Sequence, residues 1–227
     1  MRKEDIREDR FQEIVTSVIK AYYRSPRNFY IGAGVVVVAI AAVIILLSNK
    51  PKPDPQPNIM FDEAILLMSD QQRPDTASAE QLLNELTRRY PSHAMGLRGS
   101  YYLGGIYYSQ RKFDEARRAF EKFASGERSD PLLTPAALMG VGNCYEEAGD
   151  LDRAADAYAA AYRSNPKWAL ADQAVLAAGR CYQQKNRLST AADLYSHYLK
   201  ANPKAPNDVL NEVKMQLAYV RTLSGVK

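Results

Sequence analysis

The sequence predicts an all-α protein: a solenoid of antiparallel helix pairs, about four repeats closed by a capping helix, preceded by one N-terminal transmembrane helix. Three observations predict it. Gly104, Tyr107, Ala116 and Phe120 recur as Gly142, Tyr145, Ala154 and Tyr158, and again as Gly179, Tyr182, Ala191 and Tyr195, stepping by 38 and then 37 residues. A period in that range marks units that bury their apolar faces only against their neighbours. Residues 29–47 form a run of 19 residues without a charge. Between run and repeats lies Pro51-Lys52-Pro53-Asp54-Pro55-Gln56-Pro57, with proline at every second position.

Residues 1–28 form a charged tail that carries an amphipathic helix. Phe11, Ile14, Val15, Val18, Ile19 and Tyr22 recur at helical spacing, with Glu8, Asp9, Arg10, Gln12 and Glu13 on other faces. Ser25-Pro26 separates this helix from the next. Docking of a partner and passive packing at the headgroups both fit it.

The transmembrane helix is expected over residues 29–48. Its 19 uncharged residues would rise about 28 Å as a helix, close to the hydrocarbon core of a bilayer. A cleavable signal usually has a shorter apolar region and a small-x-small end, whereas this run closes on Leu47-Ser48-Asn49-Lys50. Phe29 and Tyr30 suit an aromatic belt at one interface. Gly32, Ala33 and Gly34 offer a small-residue contact, and the possibility of a homo-oligomer stays open. Arg10, Lys20, Arg24 and Arg27 precede the run, against Lys50 and Lys52 after it, which favours a cytoplasmic N-terminus. Residues 49–58 read as an extended polyproline spacer.

The solenoid is expected over residues 59–227. A small residue on the first helix of each pair and Ala on the second let the two axes approach closely. The aromatic one turn after the Ala fills the space beside them. Turns fall at Gln110 to Phe113, at Gly149-Asp150-Leu151 and at Asn186 to Leu188. Pro131, Pro166 and Pro203 follow the second helices and stop them.

These residues resemble the tetratricopeptide repeats. The Gly, Tyr, Ala, aromatic and Pro fall where that family places them, and Leu103 to Tyr107 reads L-G-x-x-Y. Repeats are expected near 60–93, 97–131, 135–168 and 172–205, with a capping helix over 207–223. In the degenerate first copy, Ala79, Leu83 and Pro91 hold second-helix positions, with Leu67 and Asp70 in the places of Gly and Tyr.

Charge and cysteine usage narrow the function. The net +4 divides as +2 for residues 1–28, +1 for 49–58 and +1 for 59–227. So even a balance lacks the footprint of nucleic-acid binding. Cys144 and Cys181 each precede the repeat Tyr. Equivalent positions on neighbouring helices are about 9–10 Å apart, beyond disulfide reach, so both are expected as small buried hydrophobes. His93 and His197 have no second ligand at metal spacing, and no nucleotide loop or nucleophile elbow is present. The expectation is a non-enzyme without cofactor, metal or small-molecule substrate.

The family resemblance implies a peptide lying along the concave face lined by the first helices. Carried over by position, it nominates Tyr101, Tyr102, Tyr108, Asn143, Glu146, Arg180, Gln183 and Gln184 as partner-binding. It excludes one known variant, a basic clamp on a terminal carboxylate, because Met139 stands where a Lys is needed. The layout as a whole is similar to that of bacterial membrane-anchored repeat proteins, a group that includes the ancillary subunit of the Sec translocon. That likeness implies a single-pass inner-membrane protein with a periplasmic repeat domain, a scaffold role, and translocon or periplasmic chaperone partners. An envelope-assembly or cell-division adaptor fits the same topology, and a cytosol-facing receptor fits the reverse one.

Overall fold

The computed structural model describes residues 12–13, 16–20, 22–48, 54–70 and 74–225. It divides into two units, Met1–Asp54 and Pro55–Lys227. In the first, residues 12–13, 16–20 and 22–24 are helical. Phe11, Ile14 and Val15 of the expected amphipathic face lie outside the described residues. Ser25 interrupts the helix, and α1 (Pro26–Ser48) starts on proline, where a missing N–H costs no helical bond. The Tyr22 ring lies edge-on to Phe29 at 5.6 Å and to Tyr30 at 6.1 Å, so aromatic contacts span the break. Helix α1 is long and apolar enough to cross a membrane over Pro26–Ile45.

The second unit is helical without a strand among its described residues. Its pairs are α2 (Gln56–Ser69) with α3 (Thr76–Arg89), α4 (Ala94–Ser109) with α5 (Phe113–Gly126), α6 (Leu133–Glu147) with α7 (Leu151–Ser164), and α8 (Ala171–Gln184) with α9 (Leu188–Ala201). Helix α10 (Asn207–Ser224) closes the row. Each helix packs on the next in sequence, and the first helices also touch one another: α2 on α4, α4 on α6, α8 on α10.

Two expectations need correction. The spacer is expected to stay extended through Asn58, but α2 begins at Gln56 and buries Pro57 in its first turn. The first N–H groups of a helix are unpaired in any case, so proline there starts the helix instead of breaking it. Of the spacer, residues 49–53 lie outside the described residues. In repeat one, Leu67 and Asp70 do not hold the Gly and Tyr places. Its two helices are separated by six residues in sequence, against three at 110–112, 148–150 and 185–187. Asp75 N–H donates to Leu67 O, as Lys112 N–H donates to Tyr107 O, so Leu67 stands in the Tyr place and the fully buried Ala64 in the Gly place.

The three short turns are built alike. Seven residues after each repeat Gly, the backbone turns left-handed: Arg111 at φ 59°, Gly149 at φ 76° and Asn186 at φ 55°. Glycine adopts that conformation freely, Asn tolerates it, and Arg carries a strain. The Tyr carbonyl then accepts an N–H five residues on: Tyr107 from Lys112, Tyr145 from Asp150 and Tyr182 from Arg187. Asp150 also caps α7 by accepting Arg153 N–H at 3.1 Å.

Ala79, Ala116, Ala154 and Ala191 are fully buried at the helix crossings, and Phe120, Tyr158 and Tyr195 fill the space beyond them. The glycines are there for room. A Cβ on Gly104 would meet the Phe120 ring at 2.6 Å, and one on Gly140 of the following repeat would meet the same ring at 2.7 Å. Phe120 is therefore gripped by glycine backbones from two repeats. Burial of such a ring stabilises by about 1.5–3 kcal/mol, and the clamp ties that gain to a fixed spacing of the two repeats.

The repeat tyrosines add polar ties on another side. Tyr107 donates to Asn84 Oδ1 at 3.0 Å, Tyr145 to Glu121 Oε1 at 3.3 Å and Tyr182 to Asp156 Oδ1 at 2.8 Å. In each case the acceptor lies on the second helix of the preceding repeat. Cations cover the rings: Lys112 over Tyr107, Arg117 and Arg153 over Tyr145, and Arg187 over Tyr182. Cys144 and Cys181 are buried free thiols, and burial pushes Cys144 up to about 11.

Candidate peptide-binding groove

The first helices bring part of the nominated set together and separate another part. Tyr101 belongs to the packing within repeat two and Tyr102 to the packing between repeats one and two. The Tyr101 ring lies 5.8 Å from Phe120 and 5.7 Å from Phe123. The Tyr102 ring lies 5.5 Å from Phe61 on α2. Burial raises the Tyr101 phenol above its ordinary pKa. Tyr102 thus fills room beside a repeat whose Tyr place is held by Leu67.

Tyr108, Asn143 and Glu146 converge. They line a chamber of about 300 Å³ with Glu147 and Tyr158. Tyr108 comes from the last turn of α4, where its ring leans on Phe113 at 5.4 Å. Asn143 and Glu146, three residues apart, share one face of α6. The Tyr158 hydroxyl enters from α7, 2.7 Å from Asn143 Oδ1 and 2.8 Å from Glu146 Oε2. Arg180, on α8, reaches back to Glu146 through both terminal guanidinium nitrogens, at 2.5 and 3.1 Å. Bidentate pairing of this kind fixes geometry as well as charge.

The polar row continues through Gln183. Its Nε2 donates to Tyr195 Oη at 3.1 Å and to Gln216 Oε1 of α10 at 3.3 Å. Gln184 is exposed on the last turn of α8. Repeats three and four and the terminal helix are thus joined by two hydrogen-bonded groups that share α8, Asn143-Tyr158-Glu146-Arg180 and Tyr195-Gln183-Gln216. The electrostatics follow from that arrangement. Hydrogen bonds from Arg180 and Tyr158 hold the Glu146 carboxyl below its ordinary range, against the opposing effect of its partial burial. Burial, helped by Glu146, pushes the Tyr158 phenol well up.

Three groups of this row are not among the nominated residues. The repeat spacing marks Tyr158 and Tyr195 as packing aromatics. Their rings do pack, yet their hydroxyls bond to members of the row, and the signal is the choice of Tyr where repeat two has Phe120. Gln216 begins Gln-Leu-Ala-Tyr, ending at Tyr219, which repeats the Gly-x-x-Tyr spacing 37 residues after Gly179 and Tyr182. Helix α10 is in effect the first helix of a fifth repeat.

A row of antiparallel helix pairs with one polar face of this kind defines a helical-repeat interaction protein. The tetratricopeptide repeat family model matches residues 69–131 and again residues 101–169, so that stretch is built of repeats of that family. Solved structures agree on the fold. A variant of a putative kinesin light chain from Podosopora anserina, with nearly identical TPR-like repeats, aligns at TM-score 0.56 and 14% identity over 76% of this chain and 90% of its own. MamA aligns at TM-score 0.54 and 14% identity, over 76% and 84%. YrrB, described as a TPR protein with an unusual peptide-binding site, aligns at TM-score 0.52 and 15% identity, over 74% and 77%. No curated protein matches the sequence significantly.

Proposed function

We propose that the protein is a non-enzymatic, membrane-anchored scaffold that binds protein partners in the groove of its repeats, on the periplasmic face of a bacterial inner membrane and near the export machinery. One observation carries the binding part: Tyr108, Asn143, Glu146, Arg180 and Gln183, scattered over 76 residues of sequence, form one continuous polar surface with a chamber in it. Groups arranged in that way suit an extended peptide, whose backbone presents a donor and an acceptor at every residue. The family relationship supports protein partners in general. The apolar helix α1 supports anchoring, and the excess of Arg and Lys before it supports the orientation.

Two measurements on the full chain test this. A photo-crosslinking amino acid at Gln184, in the groove, is expected to give adducts that the same probe at Arg118, an exposed site on α5, does not. Translocon or chaperone subunits among them support the export reading, and division or envelope-assembly proteins support the adaptor alternative. Equal labelling from both positions counts against the groove. Alkaline phosphatase fused after Lys227 is expected to be active, and an inactive fusion sinks the periplasmic placement.

A further inference from the structure

We propose that the chamber between repeats two and three takes a lysine or arginine side chain of the bound peptide, a charge preference that rests on the groove reading. The donors and acceptors of its wall lead there. The Tyr158 hydroxyl lies within bonding distance of both Asn143 and Glu146 but carries one proton, and the carboxylate is the stronger acceptor. The proton therefore goes to Glu146. Arg180 spends its two nearest nitrogens on the same carboxylate, and Glu147 lines the chamber together with Tyr108. The Tyr158 phenol and the Arg180 guanidinium thus serve Glu146, and the Glu147 carboxylate in the chamber wall keeps acceptor capacity for a ligand.

Glu146 and Glu147 against Arg180 leave the site one negative charge. A volume of about 300 Å³ admits a long side chain, and the Tyr108 and Tyr158 rings offer walls for its aliphatic stem. A cation with several N–H donors supplies what is missing. The preference is local to one repeat. The same two places hold Tyr108-Ser109 in repeat two and Gln183-Gln184 in repeat four. A bound peptide would then be held by polar groups along the row, with its register set by one cationic residue at Glu147.

The test uses the full chain in detergent micelles and fluorescein-labelled Gly-Ser-Ala peptides that differ only at a central Lys, Arg, Gln or Glu. The Lys and Arg peptides are expected to bind about tenfold tighter than the Gln peptide, the usual size of a charge-assisted bond. That margin should shrink with added salt. Glu147→Gln, an isosteric change at an exposed residue, should abolish the margin. Equal binding of Lys, Arg and Gln peptides to the wild-type protein overturns the charge preference and leaves the groove standing. A margin that persists undiminished in Glu147→Gln overturns the assignment of this chamber. Absence of binding by every peptide in the set counts against both the chamber and the groove.

Discussion

Gly104 and Gly105 are neighbours on one helix and have opposite surroundings. A Cβ on Gly104 would stand 2.6 Å from the Phe120 ring, whereas one on Gly105 would meet nothing within 4 Å. Gly104→Ala is therefore expected to destabilise by about 1–3 kcal/mol, the usual cost of overpacking. Gly105→Ala is expected to stabilise by about 0.5–1 kcal/mol, because alanine restricts the unfolded chain and suits a helix. Urea unfolding followed by circular dichroism reads both, and equal effects of the two would refute the packing assignment. At this scale the sequence was legible for packing and less so for binding. Spacing alone revealed that the Gly, Ala and aromatic places are buried. It could not reveal that a Tyr at the aromatic place also reaches out of the core, because hydroxyl direction depends on the crossing of three helices.

Among elements, the turns within the repeats are the most regular feature and have a simple energetic logic. Gly149 has open space for a Cβ but a φ of 76°, so Gly149→Ala isolates backbone strain from packing. A loss of about 1 kcal/mol is expected. Arg111 holds the equivalent place at φ 59°, and Arg111→Gly is expected to be neutral or stabilising by up to about 1 kcal/mol, as relief of strain competes with a freer unfolded chain. Thermal melts of the two variants should move in opposite directions or one should stay unmoved; parallel losses would contradict the shared turn geometry. Element type was readable because small residues, alanine and aromatics keep helical register over three copies. Element ends were less so. Pro57 lies in the first turn of a helix that a proline run was expected to exclude, and the first repeat hides its register behind a connection longer by three residues.

For the repeat array as a whole, stability is a sum over neighbouring units, so the polar row makes one boundary sensitive to acid. The Glu146 carboxyl is held below the ordinary 4.5 by Arg180 and Tyr158. A depressed acid stabilises fully above its unfolded pKa, and that contribution is lost as pH falls through the folded value. Below about pH 4.5 the α6–α8 tie should weaken. Hydrogen exchange in α8, α9 and α10 should then rise before exchange in α4 and α5. Glu146→Gln should lower the melting temperature at neutral pH and flatten its fall in acid, with residual slope from Asp75, Asp130 and Asp150, whose pKa values are also lowered. Acid-induced exchange that rises uniformly along the array would argue against Glu146 as the sensitive joint. The repeat count was visible in the sequence because each copy reuses the same spacing. The continuity of the polar row was not, since its members come from different repeats and meet only after stacking.

The backward-pointing tyrosines have a consequence for how such a chain can change over generations. Tyr107, Tyr145 and Tyr182 each bond to the repeat before them and ask nothing of the one after. A duplicated unit appended at the far end brings its own attachment with it. A unit lost from that end leaves its predecessor's attachment intact. Lengthening or shortening the array is then a matter of copying or deleting a stretch of about 37 residues in one step. The clamp on Phe120, which needs glycines from two repeats at once, marks a boundary where such a copy would have to carry its neighbour along.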